Sequence, residues 1–461
     1  MNSRIFTNLF LICLVLYSYA MGAYFYLYQY TTYASYLYYG AKGLAGVGYI
    51  IILIWCVIKA LNKVKNISIF IIFMILLLSI FYSGWSILLG STIGGAIAVW
   101  RQYIFALPFM FLPMIIRTEL FIPFVDKFIT IFKGFVILNV VFLYLEIMGY
   151  LNIPFGIQMS NLNGALDVIL GSEGASRYAY TFIGGFPRFF GIMDTAQTFG
   201  VVLAIGTAIF IYNFQNYGKL KLALLSILSL FALLLSISKT GIFLLAILVM
   251  LMMLFNRERK VIRIYLSIVL LAVTMIVIFS FIEWKSYYNS AVSALGNSEY
   301  HGDYLHSLHS TFGYLFDSLP ARVGVLGQYY DVTPDHYKSI APILDTANAA
   351  HFGKEDHFEY YWLNWVLNYG WSIFICLIFL FVNVLKTTIL TFKETNNYAK
   401  KYKIELSLII LGFLIGGLHY NCLSPVTAPF FWCAVGILLT WKEKLYGIQL
   451  QSYTGAIPQT K

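Results

Sequence analysis

Apolar runs of 18 or more residues recur along the whole chain, and a run of that length is long enough to cross a bilayer as an α-helix. Hydrophobic residues make up 60% of the 461 residues, charged residues make up 11%, and the mean hydropathy is +0.78. No soluble globular protein of this size has such a composition. The sequence therefore predicts an all-α polytopic membrane protein, with residues 1–461 in one integral membrane domain.

The apolar runs divide into about twelve predicted transmembrane helices. The first run could imitate a signal peptide, but it is long enough to span the membrane and no clear cleavage site follows it, so we expect it to be retained. The predicted spans are approximately 5–27, 43–61, 67–89, 103–116, 128–151, 195–214, 220–236, 241–255, 261–282, 362–385, 404–419 and 425–441.

A polar segment, SISKTG at residues 236–241, interrupts the apolar stretch 220–255. If this stretch were one span, Lys239 would lie near the bilayer centre, at a cost of roughly 2.5–3.5 kcal/mol. The stretch is also too long for a single span. The sequence therefore predicts two spans joined by a polar turn, with Lys239 at a membrane surface.

Lysine and arginine residues collect in one set of alternate loops, which the positive-inside rule places in the cytoplasm together with both termini. The same distribution explains the net charge of +10 without nucleic acid, because no basic stripe with interleaved aromatic residues occurs on a soluble segment. The extracytoplasmic side holds an outer loop at 152–194 and a large loop at 283–361, between helices 9 and 10. The large loop is predicted to be partly helical, and all seven histidines fall on this side.

The sequence indicates neither a disulfide framework nor a metal site. The five cysteines lie in or beside apolar runs and show no C-x-x-C spacing. His301, His306 and His309 are close in sequence, but they do not form an H-E-x-x-H or similar ligand pattern. We therefore expect a protein without a metal and without a cofactor.

Several basic residues are predicted on the extracytoplasmic side, where positive charge is normally sparse, and five of them are candidates for a site. Arginine binds phosphate bidentately and lysine acts as a point charge, so several such residues would suit a pyrophosphate at the membrane face. They would also stabilise the charge that develops on a pyrophosphate leaving group. For any single residue, snorkelling to lipid head groups is the alternative interpretation. The five residues are Arg101, Arg177, Arg188, Lys239 and Arg322.

Two classes of membrane protein fit these features. Twelve spans are common among transporters, but secondary transporters often contain matching halves and short loops. Here the halves do not repeat, and most of the polar sequence lies in one outer loop. The other class is an integral membrane transferase whose active site lies at the outer membrane face.

Three short segments resemble motifs of the Wzy-type O-antigen polymerase and O-antigen ligase superfamily, whose members have about a dozen spans and a large late periplasmic loop. PRFFGIMDTAQTFG, at 187–200, resembles the Arg, Gly and Asp pattern that precedes a span. SKTGIF, at 238–243, resembles the Ser-Arg/Lys-Ser/Thr-Gly turn that opens a span. EDHFEYYWLNWVLNYG, at 355–370, resembles the segment that leaves the large loop. The chain departs from the commonest form at Asp194-Thr195-Ala196, where Asp-Pro-Asn is frequent, and at Glu359, where His or Asn is frequent.

The resemblance implies a metal-independent, GT-C-like glycosyl transfer on undecaprenyl-pyrophosphate-linked oligosaccharides. A hydroxyl of the acceptor sugar would attack the anomeric carbon of the donor, and the lipid pyrophosphate would leave. Arg188, Arg322 and Lys239 are the expected pyrophosphate contacts, and Arg101 and Arg177 are further candidates. The candidates for a general base are His309, Asp356, His357 and Glu359.

On this resemblance, the expected function is an O-antigen-type polysaccharide polymerase of the bacterial inner membrane, acting at the periplasmic face in lipopolysaccharide biosynthesis. An O-antigen ligase is the first alternative, because it uses the same donor but transfers the glycan to lipid A core. A lipid-linked oligosaccharide flippase or another twelve-helix transporter is the second. The expected partners are lipid-linked oligosaccharides, membrane lipids and a chain-length regulator, and no nucleic acid.

Overall fold

The computed structural model of the protein describes most of the predicted apolar segments. The predicted ninth span, 261–282, lies outside the described residues, as does almost all of the predicted loops 152–194 and 283–361. The described residues are 3–28, 34–61, 67–88, 93, 97, 100, 103–147, 182–183, 186–187, 193, 196–236, 238–255, 361–392, 397–418, 422–423 and 426–454.

These residues form α-helices almost throughout. Within the predicted outer loop 152–194, two short strands, β1 (Phe182–Ile183) and β2 (Phe186–Pro187), pair antiparallel. The helices are α1 (Ser3–Tyr28), α2 (Ala34–Leu61), α3 (Ile67–Leu88), α4 (Phe111–Ile115), α5 (Thr118–Ile147), α6 (Ala196–Tyr217), α7 (Leu220–Leu235), α8 (Lys239–Phe255), α9 (Tyr361–Phe392), α10 (Asn397–Gly416) and α11 (Ala428–Thr454).

Four stretches of the described helices are long and apolar enough to cross a membrane. They are Gly43–Ala60, Thr118–Leu145, Gln197–Tyr217 and Trp371–Leu390. Shorter apolar helices accompany them at Ser3–Tyr19, Ser68–Gly84, Leu220–Leu235 and Thr240–Met253. Large apolar side chains also cover the outward faces of the helices, as at Leu44 of α2 and Phe379 of α9. Because a soluble protein rarely exposes apolar surface of this extent, the helices indicate a membrane-embedded protein.

Helix α6 lies at the centre of the helix bundle. Its apolar stretch is 89% buried, whereas those of α2, α5 and α9 are 39%, 44% and 28% buried. Gly206 of α6 lies so close to α5 that a Cβ there would overlap Val136. On another side, Thr207 donates a hydrogen bond of 3.0 Å to Ser229 of α7. A helix that is apolar on every side is expected to be surrounded by protein in this way.

Helix α10 packs antiparallel against α6 along most of its length. Gly412 faces Ile205 closely enough that a Cβ would overlap that side chain, and further along Glu405 accepts a hydrogen bond from Asn213. Residue numbers thus rise on one helix as they fall on the other. We define the upper end of the bundle as the end where α6 begins and α10 finishes, and the lower end as the opposite one.

The predicted fourth span, 103–116, is not a continuous helix. A 3-10 helix at Leu107–Met110 leads into α4, which is only five residues long. Pro108 and Pro113 lie within this short segment. Proline removes a backbone donor and disrupts a regular helix, which explains the break. The segment is buried rather than lipid-facing, and the Met110 carbonyl lies against Gly436 of α11.

Helix α9 is sharply bent. The rings of Trp362 and Phe381 lie 4.8 Å apart, although 19 residues of straight helix would separate them by about 28 Å. Below the bend α9 runs antiparallel to α3, since Ser372 bonds to Tyr82 and Asn383, further along α9, donates to Ser68 near the start of α3. Gly370 lies between the two parts, and glycine is a common site of helix kinks. Residues 361–369 therefore form an arm that folds back onto the bundle, which we call the folded-back arm.

Candidate functional site

The SISKTG segment forms a capped break between two helices. Ser236 ends α7, where its hydroxyl donates a hydrogen bond of 2.7 Å to the Leu233 carbonyl. Ser238 then caps α8, because its Oγ accepts a hydrogen bond of 3.2 Å from the Gly241 N–H in the first turn. Both serines are fully buried. The predicted helix break is thus confirmed, and Lys239 is the first residue of α8.

This break lies directly against the start of α6. A Cβ added to Gly241 would lie 2.6 Å from the carbonyl carbon of Gly200, and a Cβ on Gly200 would overlap the Ser238 hydroxyl. Only glycine at both positions allows the two backbones to approach so closely. The contact joins the segment that follows Asp194 to the segment that contains Lys239.

The folded-back arm reaches the same end of the bundle. The Trp362 indole N–H donates a hydrogen bond of 2.9 Å to the Leu414 carbonyl, in the last turn of α10. Val201, next to Gly200 in α6, lies 3.0 Å from the position of a Cβ on Gly416. The segment that leaves the large loop is therefore connected through α10 to the start of α6.

A fourth segment joins this group through aromatic contacts. The Tyr103 ring lies 5.2 Å from the Tyr361 ring and 5.7 Å from the Trp365 ring, measured between centroids. All three side chains are buried. Arg101 precedes Tyr103 by two positions in the sequence, and Glu359 precedes Tyr361 by two. The upper end thus collects the described residues that flank four of the segments singled out from the sequence.

The structure places the backbone of one predicted site residue, Lys239. It begins α8 at the upper end, beside the Gly200–Gly241 contact. The roles assigned to the other eight candidates stay predictions, because these residues lie outside the described part of the chain. They are Arg101, Arg177, Arg188, His309, Arg322, Asp356, His357 and Glu359.

Metal ligands are not grouped in the part of the chain that the structure describes. No set of three or more His, Cys, Asp or Glu side chains there could hold a metal ion. The five cysteines are free thiols, and four of them are buried.

A buried charge cluster at the lower end was not anticipated from the sequence. Glu405 of α10 is fully buried, and its Oε1 lies 2.5 Å from the Lys133 ammonium of α5. The same oxygen accepts a hydrogen bond of 2.6 Å from the Asn213 amide of α6, whereas Oε2 has no partner among the described residues. The sequence did contain a signal for this cluster, because Glu405 and Lys133 are ionisable residues inside predicted spans. Ionisable residues in such positions are often functional.

No family model matches this chain, and neither does any curated protein sequence or solved structure. Its function is therefore inferred from the residues that meet at the upper end and from the chemistry of their neighbours in the sequence.

Proposed function

We propose that this protein is an integral membrane polysaccharide polymerase of the O-antigen type. It would transfer a growing glycan from undecaprenyl pyrophosphate to a sugar hydroxyl of an incoming lipid-linked repeat unit. The observation that supports this most is the meeting of the three motif segments at the upper end. The Gly200–Gly241 contact and the Trp362–Leu414 hydrogen bond join segments that are far apart in the sequence.

The proposed topology has about twelve spans, with the upper end at the extracytoplasmic face of a bacterial inner membrane. Its support is the charge distribution along the described helices. Lys219 and Lys401 lie where α6 ends and α10 begins, and Lys444 bonds to the Ile116 carbonyl between α4 and α5. The positive-inside rule assigns a lower end with this composition, and both termini, to the cytoplasm.

In the proposed reaction, an acceptor hydroxyl attacks the anomeric carbon of the donor sugar. A new carbon–oxygen bond forms, the bond from the anomeric carbon to the pyrophosphate oxygen breaks, and its electron pair leaves with the lipid pyrophosphate. The hydroxyl proton passes to a general base, for which His309, Asp356, His357 and Glu359 are the candidates. No metal is required in this scheme.

The cationic residues would act on the leaving group. Arg188, Arg322 and Lys239 would contact the pyrophosphate, with Arg101 and Arg177 in support. Charges placed where water is scarce stabilise a developing anion far more than charges in water do. The buried surroundings of Ser238 and Gly241, next to Lys239, are consistent with such a place.

The decisive experiment uses the purified protein with the lipid-linked repeat that accumulates when its gene is deleted. Release of undecaprenyl pyrophosphate together with glycans of two or more repeats is the expected result. Transfer only after lipid A core is added would identify a ligase, which shares the donor chemistry. No chemical change in the substrate under any of these conditions would overturn both transferase functions.

A transporter is the second candidate, and the buried charge cluster at the lower end favours it. Charged residues inside a membrane bundle often mark ion or substrate pathways, and Glu405 has one oxygen without a partner in the described part of the chain. Proteoliposomes that carry the lipid-linked repeat in one leaflet would test this function. Translocation without any chemical change, lost in Glu405→Gln, would identify a flippase.

A further inference from the structure

Basic side chains collect around Tyr217 at the lower end of the bundle. Tyr217 ends α6, and the centroid of its ring lies 5.2 Å from the Lys401 ammonium of α10. The same ammonium lies 5.3 Å from the centroid of the Tyr402 ring. Lys400 precedes Lys401 in α10, and Lys219 follows Tyr217 by two positions. We call Tyr217, Lys219, Lys400 and Lys401 the basic face.

A tight turn fixes Lys219 close to Tyr217. Gly218 has a φ of 61°, which glycine adopts more readily than other residues, and its N–H donates a hydrogen bond of 2.8 Å to the Phe214 carbonyl. The Lys219 carbonyl then accepts a hydrogen bond of 2.9 Å from the Leu222 N–H, in the first turn of α7. The chain therefore passes from α6 to α7 within two residues, and Lys219 stays beside the end of α6.

The positive charge of the basic face is not neutralised within the described part of the chain. None of its three lysines has a carboxylate there within ion-pair distance. Two carboxylates of the lower end have other partners, because Asp126 accepts a hydrogen bond of 3.0 Å from the Tyr402 hydroxyl and Glu405 pairs with Lys133. The positive-inside rule accounts for lysines at this end, but not for their grouping around one ring. Such a group attracts an anion.

An exposed apolar stripe begins next to the basic face and follows α7. Its members recur every three or four residues, so they lie on one side of the helix. They are Leu220, Leu224, Ile227 and Phe231, and all four are exposed. The Tyr217 ring is exposed as well, and tyrosine is typical of the level where the membrane meets water. Cations at this level, beside an apolar stripe, match the two parts of a phospholipid.

We infer that the basic face binds the head group of an anionic phospholipid whose acyl chains lie along the apolar stripe of α7. Phosphate oxygens accept hydrogen bonds from ammonium groups, and basic pockets between membrane helices bind lipid head groups in this way. Contact with two aromatic rings already restrains Lys401, so little freedom is lost when it binds. A free phosphate ion would meet the same lysines but would make no use of the stripe. The inference does not depend on the proposed function.

The test compares two lipids with identical acyl chains, anionic phosphatidylglycerol and zwitterionic phosphatidylethanolamine. Each lipid competes with radiolabelled phosphatidylglycerol for purified protein captured on beads in detergent, which gives a Kd. Inorganic phosphate is the third competitor. The variants are Lys401→Gln and Lys219→Gln, which remove one charge each, and Lys401→Arg, which keeps it. Lys442→Gln is the matched control, since Lys442 is an exposed lysine of α11 at the same end.

The wild-type protein should bind phosphatidylglycerol at least about tenfold more tightly than phosphatidylethanolamine. Lys401→Gln and Lys219→Gln should each weaken binding of phosphatidylglycerol about fivefold, the effect of one lysine near a charged membrane surface. Lys401→Arg and Lys442→Gln should keep the wild-type affinity. Because Lys219 is exposed in a turn, its replacement tests the basic face without disturbing a packed side chain.

Three results would overturn the inference. Equal affinity of the wild-type protein for the two lipids would show that the head-group charge is not recognised. An equal loss of affinity in Lys442→Gln and Lys401→Gln would assign the attraction to the charge of the whole lower end. Displacement of the labelled lipid by inorganic phosphate would assign the lysines to a free anion. Each of these results leaves the proposed function as it stands, because none of them concerns glycan transfer.

Discussion

At the scale of single residues, Ser238 determines where α8 begins and therefore where Lys239 lies. The Ser238 hydroxyl accepts a hydrogen bond from the Gly241 N–H, so the helix starts at Lys239. The free N–H groups of a helix N-terminus carry partial positive charge, and in the proposed site the charge of Lys239 would add to it. This combination suits a doubly charged anion such as a pyrophosphate.

Replacing Lys239 tests this role directly. We expect Lys239→Ala to reduce glycan transfer about 100-fold, the effect of removing one strong electrostatic stabiliser of a transition state. Transfer by the purified protein with the lipid-linked repeat is the measurement. Lys221→Ala, an exposed lysine in the first turn of α7 at the lower end, is the matched control and should keep full activity. Equal activity in both variants would remove Lys239 from the site.

The ion pair between half-buried Lys133 and fully buried Glu405 makes a second prediction at this scale. Lys133→Met leaves the Glu405 carboxylate buried with Asn213 as its remaining donor, so the free energy of unfolding should fall by about 3 kcal/mol. Lys133→Met combined with Glu405→Leu should recover most of this loss, because no buried charge remains. The unfolding midpoint in detergent is the measurement.

Exposed Lys127→Met serves as the control for this pair and should change stability by no more than about 0.5 kcal/mol. A double variant as unstable as Lys133→Met alone would show that the side chains matter through packing, rather than through their charges.

At the scale of elements, close contacts at glycine hold the helices around α6. Gly200 faces α8, Gly206 faces α5, and Gly412 of α10 faces Ile205. In a membrane, where lipid is as apolar as the helices, association depends on such close packing. Of these contacts, the one at Gly200 is nearest to the proposed site.

Gly200→Ala should therefore affect both stability and activity. The added methyl group would overlap Ser238 and push α8 away from α6, at a cost of about 1–3 kcal/mol. Because Lys239 moves with α8, glycan transfer should fall as well. Gly46→Ala in α2 is the control, since a Cβ there meets no atom within 4 Å. Full transfer by Gly200→Ala would contradict a role of this contact in positioning Lys239.

At the scale of the whole molecule, the proposed orientation can be tested by labelling. A cysteine at Lys219, which is exposed between α6 and α7, should react with a membrane-impermeant maleimide only from the cytoplasmic side. A cysteine at Asp331, in the predicted large loop, should react only from outside. Four of the native thiols are buried, which keeps the background low. Labelling of both positions from one side would overturn the topology.

The sequence predicted helix positions well where apolar runs have clear ends. Helices α3, α7 and α8 begin and end within two residues of the predicted spans. Helix α5 begins ten residues before its predicted span, at Thr118 rather than 128, because its first turns are amphipathic rather than uniformly apolar. Exposed Asp126 and buried Phe124 lie in this part. A search for uniformly apolar runs does not find such a segment.

Other features depend on contacts that no single run of sequence contains. The bend of α9 is fixed by Trp362 meeting Phe381 and Leu414, and Gly370 alone would predict only a weak point in a helix. The break at SISKTG was predictable because its polar residues interrupt an apolar stretch. The contact of this break with Gly200 could not be predicted, because hydrophobic periodicity does not specify which helices become neighbours.

The central position of α6 has a consequence for how the protein is made. About 180 residues separate the end of α6 from the start of α10. Helix α10 contacts α6 in two places: Glu405 accepts a hydrogen bond from Asn213, and Gly412 packs against Ile205. During synthesis α6 therefore leaves the ribosome long before this neighbour exists, and the Asn213 amide enters the membrane without its carboxylate acceptor. Assembly of the bundle is completed only when the last helices insert. A nascent chain interrupted before α10 therefore leaves one side of α6 unpacked, and the cell's quality-control proteases can recognise that surface.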